Sequence, residues 1–332
     1  MKTTWRRKLL IAAGPLLLTP FTLIAQQLSS ARRIGFLAVN SRSIPSHPDA
    51  RYDAFVLGMR ELGWIEGKNL IIEWRFADGV YGRVPALAAE LVQMNLEVIV
   101  THATPTTQML QRATRSIPIV GVGFGDPVRD GIVASLARPG GNVTGLSLIT
   151  GDLNPKQLEL LKTIIPALSR VAVLTNPDNA NSTGNLKSVE ASAKALGLGA
   201  LYVQARNSEE IERGFATINR ERVGAVLIEL DPIFYAQMRR IADLANQYRL
   251  AGTCGYHEFA QSGGLLSYGQ NLSEFYRYSA VYVDKILKGA KPSELPIEQP
   301  TKFELAVNLK TARGLGIKIP SSILLRADRV IE

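Results

Sequence analysis

The chain has a single cysteine, Cys254, among 332 residues. No internal disulfide can form, so its core rests on packing alone, which a chain of this length can supply. Cys254 stands in an apolar, strand-like stretch and reads as a small core residue. Catalytic patterns are equally scarce. Histidine occurs only at His47, His102 and His257, without the spacing of a metal site. The run His257-Glu258-Phe259-Ala260-Gln261 misses the zinc-protease pattern, because glutamine stands where the second histidine belongs. There is no GxSxG elbow and no phosphate-binding Walker loop. Gly121, Gly123 and Gly125 fail the dinucleotide fingerprint, since Asp126 stands where the third required glycine belongs. The formal net charge of +9 is spread along the chain and gathers in no basic tract. These absences exclude the patterned enzymes, metal sites and nucleic-acid binders, and no cofactor is expected.

What is present begins at the N-terminus. Lys2, Arg6, Arg7 and Lys8 precede an apolar run from Leu9 to Ala25, followed by a polar, small-residue stretch. That order is the order of a secretory signal peptide, assigned here to residues 1–31. The other reading is a retained anchor, but the run is near the lower length limit and Gly14, Pro15 and Pro20 interrupt it. Ser29-Ser30-Ala31 fits a cleavage site, and no nearby cysteine offers a lipid attachment point. A soluble periplasmic protein is expected.

From Arg33 onward, short β-rich runs alternate with amphipathic stretches. Strands are expected at 34–39, 70–75, 97–100, 118–122, 143–148, 170–175, 200–205, 225–230, 251–254 and 265–268. Most are continuous Val/Ile/Leu runs, as in strands buried on both faces. Helices are expected over Pro85–Met94, Pro155–Ile165, Ser182–Leu196, Glu209–Arg220 and Phe234–Tyr248. The alternation predicts an α/β chain with doubly wound parallel sheets. Five strands precede Thr150 and at least four follow Arg170, enough for two lobes. VTGLSL, LLSYG and KPSELPIEQP read as three crossings between them. Lobe one is expected over 32–147 plus 268–299, and lobe two over 148–267 plus 300–332. Gly263-Gly264 is expected to serve the hinge.

Ligands in such sheets lie beyond the carboxyl ends of the strands. The candidates there are Asn40, Ser41 and Arg42 after the first strand, and Thr101, Ala103 and Thr104 after the third. Thr104 reads as an N-cap with Pro105 as first helical residue, so free N–H groups and a positive dipole end would face the cleft. Gly125, Asp126 and Pro127 follow the fourth strand, with Asp126-Pro127 restarting a helix. In the second half, Asn176 and Asp231 read first as capping residues and second as cleft groups, Asp231 being able to hold an ammonium. Tyr256 and Tyr268 either stack on a flat ligand or pack between the lobes.

Four segments resemble a known family: 54–79 (AFVLGMRELGWIEGKNLIIEWRFADG), 83–92 (RVPALAAELV), 125–147 (GDPVRDGIVASLARPGGNVTGLS) and 258–332. They are similar to ABC-transporter substrate-binding proteins of the tryptophan/tyrosine type. The resemblance implies a type I periplasmic binding fold, with two lobes, three crossovers and a ligand trapped by hinge closure. It implies a small-molecule ligand and an inner-membrane ABC permease with its ATPase as partners, a monomeric state and no catalysis. Carried over, a ligand carboxylate would sit at the Thr101–Thr104 helix start, with Asn176, Asp231 and Tyr256 closing from lobe two. Aromatic amino acids are the family's best-known cargo; Arg42 would equally favour a carboxylate without an amine. The rival role is a ligand sensor that presents its bound state to a membrane receptor.

Overall fold

The computed structural model describes residues 31–41, 49–148, 153–299 and 301–332, without the side chains of 180 and 182–184. The expected signal peptide, save Ala31, and Arg42 lie outside the described residues. Five apolar runs form the first sheet: β1 (Arg32–Ala38), β2 (Leu70–Phe76), β3 (Val98–His102), β4 (Ile119–Phe124) and β5 (Val143–Ser147). Their order is β2-β1-β3-β4-β5, with every pairing parallel. The inner strands are buried along their whole length. Helices α1 (Ala50–Glu61), α2 (Val84–Val92) and α3 (Thr104–Ala113) connect them.

The chain then enters α4 (Leu153–Ile164) and a second sheet. Its strands are β6 (Arg170–Thr175), β7 (Gly199–Gln204), β8 (Ala225–Ile228), β9 (Ala251–Cys254), β10 (Leu266–Gly269), β11 (Glu304–Asn308) and β12 (Arg329–Ile331). Helices α5 (Ala180–Ala195), α6 (Ser208–Arg220), α7 (Pro232–Ala236), α8 (Met238–Gln247) and α9 (Glu258–Gln261) link the first five. The order is β7-β6-β8-β9-β10-β11-β12, parallel except between β10 and β11. Both sheets therefore repeat one winding, second-first-third-fourth-fifth. The switch point of that winding falls between β1 and β3 in one lobe and between β6 and β8 in the other.

After β10 the chain crosses back as α10 (Leu272–Leu287), which packs along α1. Gly58 permits this contact: a Cβ there would stand 2.4 Å from the Arg277 carbonyl. Residue 298 bridges to Leu146 at the edge of the first sheet before the chain returns to β11. Helices α11 (Leu309–Leu315) and α12 (Ser321–Leu324), with β12, complete the second lobe. No described helix is long and apolar enough to cross a membrane.

Four expectations need correction. The helix expected over Phe234–Tyr248 is two, α7 and α8, separated at Gln237. Asp126-Pro127 opens a turn rather than a helix: the Asp126 carboxylate caps the N–H groups of Val128 and Arg129, but Gly131 at φ 68° turns the chain out after one turn. Tyr268 and Gly269 belong to β10, so the return to lobe one begins after residue 269. Gly263-Gly264 lies within lobe two: the Gly263 carbonyl accepts from Asn246 and Thr311, and a Cβ at Gly264 would overlap the Phe259 ring.

Candidate functional site

The carboxyl ends of the strands at both switch points meet in one buried polar cluster. On lobe two, Asn176 follows β6 and Asp231 follows β8. The Asp231 carboxylate is fully buried and accepts four hydrogen bonds, two per oxygen. Asn176 Nδ2 at 3.2 Å and the Ile233 N–H at 2.8 Å reach Oδ1. Asn179 Nδ2 at 3.0 Å and the Tyr81 hydroxyl at 3.2 Å reach Oδ2. Tyr81 comes from lobe one, so this carboxylate ties the lobes together. Burial raises its pKa, and the four donors pull the other way.

On lobe one, β3 ends at His102 and α3 begins at Thr104. Ala103 between them takes φ 69° and ψ 157°, a conformation nearly confined to glycine and costing about 1–3 kcal/mol. Thr104 is the first helical residue and not the N-cap. Its hydroxyl accepts from the Gly125 N–H at 3.0 Å, joining the ends of β3 and β4. Thr101 faces away from the cleft end: its hydroxyl donates to the Leu37 carbonyl at 3.0 Å, stitching β3 to β1. Gly125 lies directly under lobe two, since a Cβ there would stand 2.3 Å from the Asn181 amide. Arg129 donates to the same Asn181 at 3.1 Å. Asn40 is buried with its Oδ1 unpartnered, Ser41 and Asp126 are exposed, and Pro127 is buried.

Between the lobes a small cavity of about 10 Å³ remains, room for roughly one water. His102, Ala103 and Gly123 line it from lobe one, and Asn179, Asn181 and Tyr256 from lobe two. The lobes are therefore closed on one another. Tyr256 sets its ring edge-on to Tyr235 at 5.0 Å. Tyr268 stands apart, stacked on Phe303 at 5.7 Å and packed on the core of lobe two.

The sequence reading missed Arg51, the only arginine among the largest fully buried side chains. It sits in the first turn of α1, where the positive end of the helix dipole disfavours a cation. Asp49, the N-cap, holds it with two bonds, at 2.9 Å to Nε and 2.6 Å to Nη2. Its Nη1 has no hydrogen-bond partner among the described residues. The guanidinium lies 3.6 Å from the ring centre of Tyr235 in lobe two, and 5.6 Å from those of Tyr52 and Tyr276. Burial works against its charge, but Tyr276 and Asp49 outweigh it and raise the pKa. Burial, helped by Arg51, lowers the pKa of His102 to about 3, so the imidazole is neutral near pH 7. Cys254 is buried in β9, its thiol pushed up to about 12 by burial. No cluster able to hold a metal occurs among the described residues.

A larger cavity, about 710 Å³, lies at the far end of α1, lined by Glu61, Leu62, Phe275, Arg277 and Tyr278. It is an open groove crossed by the Arg277–Glu61 ion pair, lined mostly by the helices α1 and α10 and by the segment that leads into β11. The convergence of strand ends, strained backbone and buried polar groups marks the inter-lobe cluster as the candidate site instead.

The relatives share this architecture. A tyrosine-binding protein of Clostridioides difficile is 24% identical over 82% of this chain and 79% of its own length. A conserved domain protein from Vibrio cholerae superposes with a TM-score of 0.83 at 28% identity, covering 90% of this chain and 99% of that one. An ABC domain from Streptococcus pneumonia in complex with L-Trp gives 0.82 at 26%, covering 91% and 100%. The ligand-free, open structure of a Clostridium difficile substrate binding protein with adhesive properties gives 0.62 at 24%, covering 91% and 99%. Residues 39–331, from the end of the first strand through the last, match one family throughout, and with two type I lobes meeting at their switch points the chain belongs to the ABC transporter substrate binding proteins.

Proposed function

We propose that this protein is the exported solute-capturing component of an ABC importer, and that it holds a small carboxylate-bearing molecule between its lobes. One observation carries the reading: the strand ends at both switch points converge on a single buried polar cluster, bonded directly across the cleft by Tyr81 and Asp231. The chain also superposes better on the L-Trp complex than on the ligand-free, open relative. That difference fits capture by closure.

The sequence of events follows from the geometry. With the lobes parted, the first turn of α3 offers backbone N–H groups beside His102 and Ala103, a setting that favours a carboxylate. Closure then brings Asn179, Asn181 and Tyr256 onto the bound molecule. A ligand drives closure only to the extent that it binds the closed form better than the open one. The closed, loaded chain docks on a permease in the membrane, which opens it and takes the cargo. No bond is made or broken in the ligand, and one chain suffices.

A thermal-shift screen of amino acids and aromatic acids tests this. A true ligand at 100-fold excess over Kd adds about 2.7 kcal/mol to the stability of the folded state, read as a rise in midpoint that grows with concentration. Conversion of a candidate to product, or flat midpoints throughout, would contradict the reading.

A further inference from the structure

The charged groups at the lobe interface are unequally engaged. Every carboxylate there already has partners. Asp49 gives both oxygens to Arg51, and Asp231 takes four donors. Glu258 Oε1 accepts from the Tyr235 hydroxyl at 3.3 Å, and its Oε2, which accepts no hydrogen bond among the described residues, faces His257 Nδ1 at 3.1 Å. Glu229, buried just after β8, is not without a partner either. The cationic side is the reverse. Arg51 is fully buried at the interface, yet its Nη1 donates to nothing among the described residues.

A purely structural ion pair leaves this arrangement unexplained. Asp49 satisfies Nε and Nη2 and fixes the plane of the guanidinium, while leaving a buried N–H without an acceptor is costly. Fixing two of the three nitrogens pre-organises the third, and a planar guanidinium is suited to carboxylate oxygens. The Tyr235 ring covers the group from the opposite lobe at 3.6 Å, so an anion on Nη1 would be enclosed as the lobes close. The neighbouring His102 contributes polarity without a competing charge.

We propose that Arg51, which neighbours His102 at the start of α3, receives the anionic group of the ligand together with the first turn of that helix, and that this site selects carboxylates lacking an amine over zwitterionic amino acids. The proposal rests on the capture reading above. An α-ammonium entering the closed cluster must displace a donor from Asp231 or compete with His257 for Glu258 Oε2. A carboxylate finds a cation already oriented for it. The cargo class thus differs from the L-Trp and tyrosine in the names of the relatives.

Calorimetric titration with two matched sets of probes tests it. One set is L-tryptophan, indole-3-propionate and tryptamine; the other is L-tyrosine, 3-(4-hydroxyphenyl)propionate and tyramine. The expected result is that at least one amine-free acid binds tenfold or more tightly than its amino acid, with no binding of the amines. Arg51→Gln should erase that preference, and Arg51→Lys should retain part of it, in variants whose circular dichroism matches the parent. The comparison on the unmodified protein stands even where a variant fails to fold. Amino acids binding as tightly as the acids would overturn the proposal and leave capture intact. So would a preference that survives Arg51→Gln. Failure of all six probes to bind would overturn both.

Discussion

Arg51 and His102 are buried in electrostatic reach of each other, and the arginine keeps its charge while the histidine loses it. The His102 pKa falls from 6.5 to about 3, first through burial and then through Arg51. Between those values the unfolded chain binds a proton that the folded chain refuses. The contribution is therefore intact above pH 6.5 and is lost as pH falls, at about 1.4 kcal/mol per unit across the window. Denaturant titrations at pH 7 and pH 5 should show His102→Gln losing less stability than the parent, by about 2 kcal/mol. Equal losses would mean that His102 protonates freely in the folded protein. Ala103, next along the chain, holds its strained backbone where β3 gives way to α3, and it is the junction of these two residues that forms the wall of the cleft.

Among the elements, the end of β4 lies directly against the start of α5 in the other lobe. Gly125 permits it, because a side chain there would meet the Asn181 amide. Gly125→Ala should leave each lobe folded, yet weaken binding by about 1 kcal/mol as the methyl displaces the Asn181 amide; Gly125→Ala with Asn181→Ala should recover part of the loss. A single variant with unchanged affinity in the binding assay would remove this contact from the closed state. Much of the architecture was legible at this scale. Continuous Val/Ile/Leu runs mark strands buried on both faces, and their alternation with helices forces parallel winding. The strand ends were legible too, since Asn176, Asp231, Thr104 and Gly125 all sit where the sheets terminate. The details that failed depend on tertiary geometry. Whether the Tyr268 ring points to the cleft or to Phe303, and whether the Thr101 hydroxyl turns to Leu37, depends on pleat direction and register. Arg51, Tyr81 and Tyr235 escaped because they become neighbours of the cluster only across the closed interface. The one local sign was a cation in the first turn of α1, against the helix dipole.

The whole molecule is two copies of one winding whose switch points face each other, and the account turns on ligand sitting between them. Two cavities compete for that role: the closed inter-lobe cluster, and the larger open groove between α1 and α10. Residues Arg51 and Glu61 mark opposite ends of α1, about 15 Å apart at helical rise, so the two sites are separable. Amide hydrogen exchange, run with and without the probe that gives the largest thermal shift, distinguishes them. The expected result is simultaneous added protection at His102–Thr107 and Gly123–Pro127 of lobe one and at Asn176–Asn181 and Asp231–Tyr235 of lobe two. Protection confined to Glu61–Leu62 and Phe275–Tyr278, or to one lobe alone, would contradict capture between the lobes.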